Sequence, residues 1–272
     1  MGHEKPQKAQ KRLSRTSRAG LNVCAFCAFL WLLCFAALAQ DSRNLTPAQL
    51  EIQKQQQRLS SGDVEERRDA LMRLGAMHLP AASRAALAGL QDTAPIIRAT
   101  AAKAILSIGS EESAAQLLPL LNDKDEFVRR EAAYALGLTR SRSATNLLGE
   151  RLLKDKEDGV RAAAGVALGE IADEAAVIAL VQSLTSKREK NVFVLRAAAT
   201  ALGRIKSRAG TAALISTLSN EKLPSDVRRE AARSLGLIGD PAAAPALKIA
   251  ALDSDPYLAR IAHEAFQKIS RR

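Results

Sequence analysis

Few residues in this 272-residue sequence are suited to chemistry. Its three cysteines, Cys24, Cys27 and Cys34, share one N-terminal apolar run, so the rest of the chain has neither a disulfide nor a cysteine metal site. Beyond residue 40 the histidines are His78 and His263, and only His263 has a carboxylate beside it, Glu264. One His-Glu pair cannot supply the three or four ligands a histidine metal centre needs. No G-x-S-x-G elbow, phosphate-binding loop or H-E-x-x-H pair occurs. The carboxylate pairs Glu65-Glu66, Glu111-Glu112 and Asp125-Glu126 stand where helices are expected to start, and the helix dipole favours negative charge there. This inventory argues against an enzyme and calls for no metal and no cofactor.

Arginine makes the most regular polar pattern. Arg67, Arg98, Arg129, Arg161 and Arg228 recur at one repeat position, and such a row could bind phosphate. However, Asp92, Asp123 and Asp155 each lie six residues before Arg98, Arg129 and Arg161. That spacing suggests a structural Asp–Arg ladder tying each turn to the helix after it. Leu195 interrupts the row. Single-strand nucleic acid binding also wants aromatic platforms beside the basic groove, and the five aromatics beyond residue 40 are scattered along the helices. Nucleic acid is therefore not an expected partner.

The elements that position these residues follow from internal repetition. Gly75, Leu106, Gly137, Gly169, Gly203, Gly236 and Gln267 are equivalent, with successive spacings of 31, 31, 32, 34, 33 and 31. Five residues before each stands alanine: Ala70, Ala101, Ala132, Ala164, Ala198, Ala231 and Ala262. Apolar residues also recur nine and one before the reference and two after it, which is one stripe of an α-helix. Leucines eleven and fifteen residues after the reference form the stripe of a second helix. The glycine reads as the stop signal of the first helix. One such pair cannot bury both stripes, so the units must stack. The expected fold is all-α, an α-solenoid of six to seven two-helix repeats of 31–34 residues over 63–272.

The phrases Val128-Arg129-x-x-Ala132-Ala133-x-Ala135-Leu136-Gly137 and Val227-Arg228-x-x-Ala231-Ala232-x-x-Leu235-Gly236 resemble HEAT repeats of the short, phycobilin-lyase-like subtype. The resemblance implies the solenoid fold and leaves function open, since such repeats serve unrelated tasks. It makes an accessory enzyme or cofactor-attachment protein of the phycobilin-lyase-like group the alternative to a scaffold.

The first forty residues look like an address. Met1–Gly20 has a net charge of +5, and Leu21–Ala39 is apolar and ends Ala37-Leu38-Ala39. This predicts a signal peptide at 1–39 cleaved after Ala39, or else an uncleaved anchor at 21–39, with the repeats exported in both cases. Residues 40–62 are expected to form a polar capping helix, opened by Thr46-Pro47 with Gln49 as its capping-box partner. Residues 187–272 carry 16 basic and 8 acidic side chains, a basic half suited to weak contact with an anionic membrane surface.

The expected activity is scaffolding: a monomer that binds another protein on its concave face. Second helices are expected to line that face and to present Arg84, Asn146, Glu150, Lys154, Gln182 and Lys248. Asn146, Glu150 and Lys154 share one side of one helix.

Overall fold

A computed structural model describes residues 45–271. The expected signal peptide or anchor lies outside the described residues. The chain divides into two compact units, Met1–Glu51 and Ile52–Arg272. In the first, Thr46 and Gln49 form the expected reciprocal cap. The Thr46 amide donates to Gln49 Oε1 at 2.8 Å, and the Gln49 amide donates to Thr46 Oγ1 at 3.3 Å.

Among the described residues there are fourteen α-helices and no strand. Helix α1 is Pro47–Arg58. Seven longer helices follow in alternation with six short ones. The longer helices are α2 (Val64–Ala76), α4 (Pro95–Ala104), α6 (Glu126–Thr139), α8 (Asp158–Ile171), α10 (Val192–Ile205), α12 (Ser225–Ile238) and α14 (Pro256–Ser270). The short ones are α3 (Pro80–Ala86), α5 (Ser110–Leu117), α7 (Thr145–Lys154), α9 (Val177–Thr185), α11 (Thr211–Ser219) and α13 (Ala244–Ala250). The second unit is thus an all-α solenoid. Within this unit Ile52 is buried in the repeat core and Arg58 pairs with Glu66 and Asp69.

The alanine column is buried completely in all seven units. So are the leucines at the equivalent of Leu117 in α5, α7, α9, α11 and α13. The reference glycines have a different role from the one their sequence position suggests. Helices α6, α8, α10 and α12 run two residues past them. A methyl group on Gly137 would come within 2.8 Å of Ala167 Cα, so the glycine lets α6 and α8 meet backbone to backbone. These four helices are stopped three residues after the reference by Arg140, Ala172, Lys206 and Gly239, and His78 and Gly109 share the positive φ at the same repeat position.

These glycine–alanine contacts give the two rows of helices unequal spacing. Neighbouring long helices touch along most of their length, whereas neighbouring short helices make far fewer contacts. A stack with one row packed closer bends toward that row. The long helices thus form the closely packed row and the short helices the more widely spaced one.

Candidate protein-binding face

The Asp–Arg ladder is present in a register different from the one its spacing suggests. Arg98 does not pair with the Asp92 carboxylate six residues before it. Its Nη1 donates to the backbone carbonyls of Asp92 and Thr93 at 2.8 and 3.1 Å. Its Nε and Nη2 reach forward one unit and grip Asp123 at 2.7 and 2.8 Å. Arg67 grips Asp92, Arg129 grips Asp155, and Arg161 grips Glu189 in the same way. Each Arg fork thus joins the turn before its own helix to the turn before the next long helix. Asp123 Oδ1 also accepts the Asp125 amide at 2.9 Å, which fixes the start of α6. Burial opposes ionisation of Asp92, Asp123 and Asp155, but the guanidinium and the turn amide outweigh it and hold all three carboxyls below their ordinary range. With these donors saturated, the row is a structural tie and offers no phosphate track. At the missing rung, Leu195 is buried in the core.

The expected binding residues are not brought together. Arg84 on α3 pairs with Glu112 at 3.3 Å, both exposed. Asn146, Glu150 and Lys154 are exposed on α7, with Lys154 bonded to Glu150 at 3.4 Å. Gln182 on α9 edges a polar cleft beside Lys156, Arg161 and Arg188. Lys248 stands on α13, two helices further along the same short row. All six lie on the more widely spaced row of short helices, on α3, α7, α9 and α13. His263 and Glu264 have separate partners, Gln267 and Arg260, each at 2.8 Å. Among the described residues no group of three or more His, Cys, Asp or Glu is placed to hold a metal.

The long-helix row carries what those residues lack. Positions ten, seven and three before the reference and one after it form its outward stripe. Met72, Tyr134, Leu138, Val166, Phe193, Leu237 and Tyr257 stand exposed on that stripe. Phe193 is 68% exposed and Tyr257 61%. The aromatics are therefore not scattered. Phe127, Tyr134, Phe193 and Tyr257 share this side, and Phe127, Phe193 and Tyr257 occupy the same repeat position. Arginines accompany them: the Arg130 guanidinium lies 5.0 Å from the Phe127 ring centre and that of Arg229 5.1 Å from the Tyr257 ring. Two hollows open along the row. One of about 400 Å³ lies over α4, and one of about 490 Å³ lies over α8. Apolar anchors, aromatics and arginine around hollows are the composition of a protein interface. The sequence signal for this face was the column ten before the reference, visible only once the helix is known to turn that column away from its own core.

In the basic half, Lys187, Arg188 and Lys190 sit in the turn before α10 and Lys222 in the turn before α12, and among the described residues none of them is in an ion pair. That excess charge lies on the turn edge, apart from the aromatic stripe. Among the described residues no helix is long and apolar enough to cross a membrane.

The family profile for HEAT repeats matches residues 52–137, 115–193 and 189–267. Among solved structures, the Escherichia coli protein YibA is similar with a TM-score of 0.60 and 22% identity, over 82% of this chain and 82% of its own. An engineered protein reaches 0.54 at 24% identity, over 81% of this chain and 68% of its own. The complex of CpcE and CpcF of phycocyanin lyase from Nostoc sp. PCC7120 gives 0.49 at 24% identity, over 84% and 92%. At these identities the likeness concerns fold alone. No curated protein matches the sequence significantly.

Proposed function

Since the chain belongs to the HEAT-repeat family, whose repeats generally mediate protein interactions, we propose that it is an exported scaffold or adaptor holding another protein against its long helices. The observation that carries this reading is the gathering of exposed Met72, Tyr134, Leu138, Phe193 and Tyr257 on the long-helix row, the closer-packed row that we read as the inner side. Large apolar side chains in water are costly to leave uncovered in such number, and aromatic anchors near arginine dominate binding energy at interfaces. The leader at 1–39 supports export, and N-terminal sequencing of the purified protein checks it: Gln40 as the first residue supports cleavage, and a retained Met1 supports the anchor.

Crosslinked affinity capture from an envelope fraction tests the binding role. The variant Met72→Glu/Tyr134→Glu/Phe193→Glu is expected to lose the partner with its helicity unchanged. The outer-row variant Asn146→Ala/Glu150→Ala/Lys154→Ala is expected to keep it. Loss in the second variant alone would move the binding face to the short helices.

A further inference from the structure

The two hollows have a common origin and a fixed separation. At the position seven before the reference, large and small residues alternate along the first five units: Arg68, Ala99, Arg130, Ala162, Arg196. Three residues earlier the order is Glu65, Ile96, Phe127, Gly159, Phe193. Long side chains of the odd units therefore rise on both sides of the smaller residues of the even ones. The first hollow has Ala99 of α4 beneath it, Met72 and Ala76 of α2 on one side and Phe127 of α6 on the other. The second has Gly159 and Ala162 beneath it, with Arg130 and Tyr134 on one side and Asn191 and Phe193 on the other.

Their centres are two helices apart. Packed helices lie about 8–10 Å from axis to axis, so the hollows are roughly 16–20 Å apart. An extended chain rises about 3.3 Å per residue and covers that distance in about five or six residues. The first hollow is apolar with a cationic rim. Arg68 and Lys103 stand over it, and Glu131 is the only carboxylate among its lining residues. Lys103 is 62% exposed even while it bonds buried Glu131 at 2.6 Å, and Arg68 has only a 3.4 Å contact to exposed Glu65. The second hollow has the aromatic side chains Tyr134 and Phe193 in its walls beside the polar Arg130, Glu131, Asp158 and Asn191, a mixture that suits an aromatic ring with a polar tip.

We propose that the long-helix row binds one extended peptide segment of a partner protein. The segment inserts an aliphatic side chain flanked by acidic residues into the first hollow. Five or six residues along, it inserts an aromatic side chain into the second. The proposal rests on the reading that this row is the binding face, and adds to it the partner's conformation, charge and register.

The test uses the full chain and synthetic fluorescein-labelled peptides carrying Glu-Leu-Glu, a Gly/Ser spacer and Tyr, with the Leu-to-Tyr distance varied and binding read by anisotropy. Affinity is expected to peak when the two anchors are about five or six residues apart. Replacing Glu-Leu-Glu by Lys-Leu-Lys is expected to weaken it about tenfold or more. Two variants each fill one hollow: Ala76→Leu at an exposed position of α2, and Gly159→Leu, where a new Cβ would meet only the flexible Arg130 side chain at 3.7 Å. Each is expected to cost about tenfold in affinity at unchanged helicity. Binding that ignores spacing, or that neither filled variant alters, overturns the proposal. If no peptide binds while capture still depends on Met72 and Phe193, the partner docks as a folded surface and only the peptide register fails. If capture ignores those residues too, the binding face itself is wrong.

Discussion

Asp155 shows how much rests on single ladder residues. Its side chain is only 2% exposed, and the Arg129 fork holds both carboxylate oxygens at 2.9 Å. Asp155→Ala leaves a buried guanidinium without its counter-charge and is expected to cost about 3–5 kcal/mol in urea unfolding. Glu150→Ala, which breaks the exposed pair with Lys154, should stay within about 0.5 kcal/mol. The ladder also sets the acid limit. The folded-state pKa values of Asp92, Asp123 and Asp155 are lowered, so their contribution is complete above the unfolded value of about 3.9 and is lost as pH falls through the folded values. Asp123→Asn should therefore flatten the fall of the urea midpoint below about pH 4, and an unchanged slope would remove the ladder from acid unfolding. Ser234 is the converse case. It stands where five of the other six units have alanine, and among the described residues its buried hydroxyl has no hydrogen-bond partner. Ser234→Ala is expected to raise stability by about 1 kcal/mol.

At the scale of the helices, spacing between neighbours is set by the glycine–alanine pairs. Gly137→Ala would press a methyl into the Ala167 backbone and should cost about 1–3 kcal/mol. Gly159→Ala faces only ordinary contact with Arg130 and should gain about 0.5–1 kcal/mol through helix propensity. Equal effects of the two on the thermal midpoint would contradict close packing of the long row. Helix number, the alanine column and both leucine stripes were legible in the sequence, because a 31–34-residue period fixes which residues must be buried together. The glycine's role was misjudged because a glycine near a helix end looks the same in sequence whether it stops the helix or admits a neighbour. The ladder partners were misjudged because spacing along one chain favoured the aspartate six residues away over the one in the next turn, which only stacking brings within reach.

For the whole molecule, the decisive property is which row of helices faces inward. Sequence periodicity separates buried from exposed stripes but treats both helices of a unit alike, so nothing in the sequence opposed placing Asn146, Glu150 and Lys154 on the binding face. The difference arises from packing between units, where glycine draws the long helices together and the short ones splay. The most direct test places a photoreactive phenylalanine at Phe193 on the long-helix row, or at Ile178, 79% exposed on the short-helix row. After irradiation in living cells, a crosslinked partner is expected from position 193 and none from position 178. Crosslinking from position 178 alone would contradict the account and place the partner on the short helices.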